Sequence, residues 1–334
     1  MKRVYIITGA NGHLGNTIIR KLSSEKVEMR ALVLPHEVTK KLVELGCTVF
    51  FGNVCNKDDI DTLFAGTEKA EVIVIHCAGI ISIATKVSKL VYDVNVNGTK
   101  NVVDKCLANN VKRLIHVSSV HAIPELKKGQ TIVEVDKFDP DLVKGEYAKT
   151  KSIATQYVLD KTKEGLNAVV VHPSGIVGPY DYGHGHLTQL IQDYFSKKLT
   201  ALVDGGYDFA DVRDVANGII AAIEKGRSGE CYILANKYIS VRDLMAIVAT
   251  YSPRKPITTI LPIWFAKLTA PLAELYYKIR KKTPLYTSYS LYTLLSNSVF
   301  SYEKAAKELG YVPRDMHDTV KDTIAWMREN KRLD

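Results

Sequence analysis

The sequence predicts a doubly wound α/β protein, a parallel sheet with helices on both faces, followed by a smaller and mainly helical part. Three observations carry this. The apolar runs Val4-Tyr5-Ile6-Ile7, Ala31-Leu32-Val33-Leu34 and Val72-Ile73-Val74-Ile75 leave no face for solvent, as parallel strands covered on both sides require. Helical patterns and a further β-rich run, Cys47-Thr48-Val49-Phe50-Phe51, lie between them, so the first 77 residues read β-α-β-α-β-α-β. The first run leads straight into Thr8-Gly9-Ala10-Asn11-Gly12-His13-Leu14-Gly15, a glycine turn opening a helix whose apolar face is Ile18, Ile19 and Leu22. Right-handed crossovers then force the doubly wound order.

Each element in turn has a use. In the spacing G-x-x-G-x-x-G, Gly9 permits a sharp turn, Gly12 removes a Cβ that would hold a pyrophosphate away, and Gly15 lets the helix lie close to the strand. The helix start offers unpaired N–H groups and a positive dipole end to phosphates. The second strand, 27–34, ends at Leu34-Pro35-His36, where an NAD-specific site usually carries an acidic residue on the ribose 2′-hydroxyl. With nothing acidic there and Arg30, Lys40 and Lys41 nearby, NADP is the expected cofactor and NAD the alternative. A helix over 36–45 closes at Gly46. The third strand then delivers Gly52-Asn53-Val54, whose Asn53 amide can donate to and accept from an adenine edge.

The fourth strand runs into Cys77-Ala78-Gly79, small enough for the nicotinamide half to pass. A long helix carrying Asp93-Val94-Asn95-Val96-Asn97-Gly98-Thr99 follows, and the strand Arg113–Val117 ends at Ser118-Ser119. Tyr147 and Lys151 are expected on a helix that starts near Asp139-Pro140. At i and i+4 they share a face, and a cation beside a phenol favours the phenolate.

Composition narrows the remainder. At 334 residues, 46% hydrophobic and 24% charged, the chain is an ordinary globular protein of about two domains at roughly 150 residues each. The five scattered cysteines make no C-x-x-C and read as reduced core residues. The His184-Gly185-His186 pair has no third ligand at metal spacing, so no metal site is expected. The charge of +9 comes without any nucleic-acid signature, and an anionic cofactor or substrate accounts for it. A strand beginning within three residues of Met1 leaves no room for a secretory signal, so a cytoplasmic location is expected. The stretch 257–277 is apolar and aromatic, but Lys267, Glu274 and three prolines interrupt it short of the roughly 18 apolar residues of a membrane span. It reads as part of a helical substrate domain, with peripheral membrane contact through its basic edge as the alternative.

The glycine loop, Asn95, Ser119 and Tyr147-x-x-x-Lys151 stand in the order and spacing of the extended short-chain dehydrogenase/reductases, the NAD-dependent epimerase/dehydratase superfamily. The resemblance covers nearly the whole chain, and Pro173-Ser174-Gly175-Ile176-Val177-Gly178-Pro179 looks most like its dihydroflavonol reductase and hydroxysteroid dehydrogenase branch. It implies a Rossmann domain over 1–178 and about 207–236, with a substrate domain over 179–206 and 237–334. Its catalytic set would be Ser119, Tyr147 and Lys151 with Asn95. The cofactor would lie against Gly9, Asn11, Gly12, His13, Leu14 and Gly15, then Arg30, Leu34, Asn53 and Val54, then Cys77, Ala78, Gly79, Val117, Tyr147, Lys151, Pro173 and Ser174. Substrate would meet Ile81, Ser119, His121, Tyr147, Ser174 and Tyr182, within an apolar lining extended by Ile80, Ile83, Val120, Ile123 and Tyr180.

The expected reaction is hydride transfer between nicotinamide and a carbonyl or alcohol, with Tyr147 moving the proton. A nucleotide-sugar epimerase or dehydratase with retained NAD is the first alternative, and a non-catalytic cofactor sensor the second. Sugar-nucleotide members of the superfamily usually carry Phe-Asn where this chain has Ser174-Gly175. The resemblance also implies a homodimer, paired through the helices of Asn95 and Tyr147, with Val87, Leu90, Val91, Val94 and Tyr157 as apolar surface.

Overall fold

A computed structural model of the chain describes residues 2–82, 88–183, 185–279 and 287–333, with 272–279 as backbone alone. Ile83, Val87 and His184 lie outside the described residues. The first half contains β1 (Lys2–Thr8), α1 (His13–Leu22), β2 (Glu28–Val33), α2 (Lys40–Glu44), β3 (Cys47–Phe51), α3 (Lys57–Thr62) and β4 (Ala70–His76). Then come α4 (Lys89–Tyr92), α5 (Thr99–Ala108), β5 (Arg113–Val117), α6 (Glu146–Lys163), β6 (Ala168–Pro173) and β7 (Gly175–Val177). The second half adds α7 (His186–Phe195), β8 (Leu202–Val203), β9 (Gly206–Asp211), α8 (Val212–Lys225), β10 (Cys231–Leu234), β11 (Lys237–Ser240), α9 (Val241–Thr250) and β12 (Ile260–Leu261). Helices α10 (Ile263–Ile279), α11 (Ser288–Leu295), α12 (Glu303–Leu309) and α13 (Met316–Glu329) complete the described chain.

Seven parallel strands form the main sheet in the order β10-β6-β5-β4-β1-β2-β3. Strand order reverses at β1, which opens a crevice between β1 and β4 at their carboxyl ends. The alternation of side chains along fully apolar strands supplies two cores. Ile7, Ile73, Ile75 and Ile115 meet α1 and α8, whereas Val4, Ile6, Val72, Val74 and Leu114 meet α3, α5 and α6. The strands β7, β9 and β11 make a separate sheet, and β8 pairs with β12.

Three local expectations are corrected. Helix α2 starts at Lys40, because the Glu37 carboxylate accepts from the Leu34 N–H at 3.1 Å and Glu37 N–H returns to the Leu34 carbonyl at 3.0 Å, which closes 34–37 as a turn. Helix α6 starts at Glu146 rather than near Asp139-Pro140. A single 3₁₀ turn, Pro140–Leu142, is capped by Asp139, and Gly145 at φ 93° then breaks the path. A Cβ on Gly145 would lie 2.2 Å from the Tyr289 ring, so both conformation and space demand glycine. The helix carrying Asn95 widens into a π-turn over Asp93–Gly98 between α4 and α5.

Charged groups lock the last helix down. Buried Asp211 caps α8 and accepts from Arg213, which also reaches Asp322 of α13 at 2.6 Å; Arg314 binds Asp214 at 2.6 Å. Only Asp211 and Asp214 of this set are buried, so it is the loss of their arginines that leaves a buried charge unpaired and approaches the cost of about 3–5 kcal/mol seen for buried pairs. Among the described residues, no helix is long and apolar enough to cross a membrane.

Candidate functional site

The glycine loop sits at the mouth of the β1/β4 crevice. Gly9 has φ 65°, and a Cβ there would be 2.7 Å from Ala78 N, so this glycine is what lets the ends of β1 and β4 approach. A Cβ on Gly15 would meet Gly9 O at 2.3 Å, and one on exposed Gly12 would lie 3.2 Å from the same carbonyl. The α1 N-terminus behind them has no side-chain cap, so its first N–H groups could hold a phosphate. The His13 ring turns away and meets the Pro179 carbonyl at 2.8 Å. Asn11 and Leu14 flank this loop, Leu14 on its buried side.

At the adenosine end the expectation for Arg30 fails. Arg30 lies mid-strand, opposite Ile6 and Thr48. Its guanidinium donates to the Leu63 and Ala65 carbonyls at 2.9 and 2.7 Å and to Glu28 at 2.9 Å, so it closes the end of α3 and cannot serve a phosphate. What stands at the β2 end is Leu34, exposed, with the Glu37 carboxylate on its N–H. That acid lies one residue beyond the Leu34-Pro35-His36 stretch. The backbone N–H of Asn53 donates to Asp59 at 2.8 Å and its Oδ1 accepts from Cys55 N–H at 2.9 Å, so its side-chain nitrogen is the group that could serve an adenine. Val54 is buried beneath Gly98.

Near the expected nicotinamide end, one hydrogen-bond chain fixes the backbone of 77–80. Thr99 Oγ1 donates to the Asn95 carbonyl at 2.7 Å, so the His76 Nε2, 3.0 Å away, must donate to Thr99. His76 Nδ1 then accepts from Thr8 Oγ1 at 2.7 Å, and Thr8 Oγ1 accepts from Ala78 N–H at 3.2 Å. The chain ends on Asn95, whose amide accepts from Ile80 N–H at 2.8 Å and donates to Ile80 O at 3.1 Å and to Thr150 Oγ1 at 3.2 Å. With every polar atom of its side chain in use, Asn95 is a positioning residue. His76, which the sequence marks only as strand, is the hub.

Ser119, Tyr147 and Lys151 converge at the ends of β5 and α6, and all three are buried. Burial pushes the Tyr147 phenol well up, and the Ser119 hydroxyl opposes it by hydrogen bonding. Lys151 Nζ donates to the Val117 carbonyl at 3.0 Å, and burial brings its ammonium down to about 8. Lys151 is not among the groups that shift Tyr147: the phenol stands raised by burial with Ser119 in part opposing, while Lys151 faces the Cys77–Gly79 backbone. Burial also holds the Cys77 thiol up to about 12, as an inert wall. His172 Nδ1 donates to Ser119 O at 2.9 Å and fixes the serine's backbone. Pro173 and Ser174 are buried at the adjoining end of β6.

On the substrate side the predicted residues divide. The His121 ring stands edge-on to Tyr147 at 6.0 Å, and its Nε2 lies 3.1 Å from Tyr207 Oη. Val120, His121 and Ile123 line a cavity with Tyr207, Tyr292 and Phe300. Ile81 points to solvent at 71% exposure. Tyr182 is drawn off to α1, where Arg20 donates to its hydroxyl at 3.1 Å and Trp326 packs on its ring; Tyr180 stacks under the same Arg20. Ile80 is clamped by Asn95. Tyr207, Tyr289 and Tyr292 escaped the sequence reading because they arrive from β9 and α11 with no motif around them.

The sequence pattern of the NAD dependent epimerase/dehydratase family matches residues 5–235. Sterol demethylase protein B of Methylococcus capsulatus is 27% identical over 97% of this chain and 98% of its own length. A putative dihydroflavonol 4-reductase of Synechocystis is 26% identical over 99% and 96%. The crystal structure of gox2253 is 31% identical and superposes with a TM-score of 0.84 over 99% of both chains. With the glycine loop at the strand-order reversal and the Ser119, Tyr147 and Lys151 cluster beside it, the chain belongs to the NAD dependent epimerase/dehydratase family and is an NAD(P)-dependent oxidoreductase of the extended short-chain dehydrogenase/reductase type.

Proposed function

We propose that the protein is a net carbonyl/alcohol oxidoreductase for a largely apolar substrate, and not a sugar-nucleotide epimerase. The observation that carries this is at Gly175. Where sugar-nucleotide enzymes of the superfamily usually hold an Asn, a Cβ would already lie 2.6 Å from the Phe209 ring, so the position has no room for any side chain. The aromatic cavity beside His121 supports an apolar substrate, and its wall carries one acid and one base, Glu125 and Lys144. Relatives named for sterol and dihydroflavonol chemistry agree with a ring-bearing substrate.

The bound nicotinamide cofactor supplies or accepts the hydride. Tyr147 gives or takes the proton at the substrate oxygen, Ser119 hydrogen-bonds that oxygen, and Lys151 holds the nicotinamide ribose. Asn95 and His76 keep the 77–80 backbone in place for it. For the cofactor itself we infer NAD over NADP, the reverse of the sequence expectation, because Arg30 is committed elsewhere and Glu37 stands at the β2 end. A homodimer is part of the same proposal. Leu90 and Tyr92, at 58% and 41% exposure, offer apolar surface on the helix leading to Asn95, whereas Val91 is buried in its own subunit. Sedimentation at micromolar concentration tests it.

The functional test is a binding and turnover screen with NADH present, comparing UDP- and dTDP-sugars with steroidal, aromatic and aliphatic ketones. Turnover of a ring ketone is the expected result. Saturable binding of a nucleotide sugar with epimerisation overturns the proposal.

A further inference from the structure

Over its described side chains, 263–271, helix α10 shows its surface the wrong way round for a protein in water. Trp264 and Leu268 are 67% and 66% exposed and Phe265 is 40% exposed, while the residues facing inward are Ala266 and Ala270. Trp264, Leu268 and Pro271 recur at i, i+4 and i+7, so they form one outward stripe, with Phe265 set edge-on to Trp264 at 5.7 Å. The alanines pack on Leu291 of α11 and Val203 of β8.

Charge singles out the same part of the chain. Residues 251–286 carry seven basic side chains and one acidic, so a net +6 of the protein's +9 falls in about a tenth of its length. Arginines and lysines occur throughout the chain, but their excess over acids is concentrated here. Lys267, exposed on α10 itself, lies within the span of the apolar stripe.

We propose that the outward face of α10 docks on an anionic lipid surface, with Trp264, Phe265 and Leu268 entering the headgroup boundary and exposed Lys267 beside them meeting lipid charge. The described part of the patch, three side chains on one turn and a half of helix, falls far short of a stable protein interface, which needs about 800 Å² on each partner. They are of the size and kind that hold an interfacial helix, with Trp at headgroup depth and basic side chains along the polar edge. Because α10 rests on α11, and Tyr292 of α11 walls the cavity beside His121, the lipid-facing helix and the substrate cavity share one helix pair. The docking itself stands whatever the substrate proves to be.

The test uses the full-length protein and sedimented vesicles of phosphatidylcholine alone or mixed in equal parts with phosphatidylglycerol. The chain has two tryptophans and Trp326 is buried, so a change in emission on adding vesicles reports Trp264. The expected result is binding to the mixed vesicles only, weakened by salt, with a blue shift of tryptophan emission. The double variant W264S/L268S should bind on the order of tenfold or more weakly while its NADH affinity is unchanged, which shows that it is folded. K267E should weaken vesicle binding without altering the emission of the free protein. No binding to mixed vesicles, or binding that W264S/L268S leaves intact, overturns the proposal. So does finding that W264S/L268S abolishes self-association without any lipid binding in the parent.

Discussion

The side-chain amide of Asn95 closes on both backbone groups of Ile80, accepting from its N–H at 2.8 Å and donating to its carbonyl at 3.1 Å. The pair ties the loop after β4 to the helix that carries Asn95, and Thr150 extends the tie to α6. Asn95→Ala should therefore loosen the 77–80 backbone without touching a reacting atom. Leaving a buried donor and acceptor unpaired costs about 1–3 kcal/mol. Cofactor affinity should fall on the order of tenfold, with a smaller change in kcat at saturating cofactor. Isothermal titration beside steady-state kinetics checks this, and a loss confined to kcat would instead make Asn95 part of the proton path.

Tyr147→Phe should lower kcat on the order of 10²–10⁴-fold while NADH binding stays near that of the parent, since the phenol is the proton carrier and makes no cofactor phosphate contact. Lys151→Ala should harm both quantities. Stopped-flow cofactor binding separates the two variants. Retention of most activity by Tyr147→Phe would remove it from the acid/base role.

NADH should bind more tightly than NADPH by on the order of tenfold, because a 2′-phosphate at the β2 end meets the Glu37 carboxylate while Arg30 is held on the Leu63 and Ala65 carbonyls. Glu37→Gln should narrow the gap, and adding Leu34→Arg should reverse it. Fluorescence titration of both cofactors decides. A preference for NADPH in the parent protein would show that a cation reaches the site from elsewhere.

Acid should unfold the protein early. Burial holds His76 down to about 3 and His121 and His172 down to about 4, and it holds His116 well below its ordinary value. In the unfolded chain each titrates near 6.5, so between pH 6.5 and about 4 the unfolded state binds more protons than the native one. Stability is thus highest above pH 6.5 and falls as pH drops through that window. Lys151 acts in another window: its burial penalty is complete below about 8 and is relieved as pH rises toward 10.5. Urea midpoints measured from pH 7 to 4.5 should fall with the uptake of several protons. His116→Phe should flatten part of that slope, and a flat profile in the parent would contradict the buried neutral histidines.

What could be read in advance was local. The Gly9-to-Gly15 loop, the strand-end serines and the Tyr147/Lys151 spacing each require only neighbouring residues and a known periodicity, and the sheet follows from runs such as Val72–Ile75. What could not be read depends on atoms brought from far along the chain. Arg30 looked available until the carbonyls of Leu63 and Ala65 arrived, and Tyr182 looked like pocket lining until Arg20 and Trp326 drew it away. Glu37 was missed by one residue, because a turn and not the strand carries the carboxylate to Leu34. The late start of α6 belongs to the same class: Gly145 gives a local hint, but the Tyr289 ring that fills its Cβ space comes from α11.

Time adds a further meaning to the bonds of the last helix. Arg314 reaches back 100 residues to Asp214, and Arg332 donates to the carbonyls of Asp181 and Tyr182 from about 150 residues downstream. On a chain emerging from the ribosome, the β1–β4 half can pair long before these arginines exist. The loop that rests on His13 must then wait, open, for its final partners. Long-range closures of this kind slow folding, so the corner beside the phosphate loop is set last in synthesis although its glycines are made first.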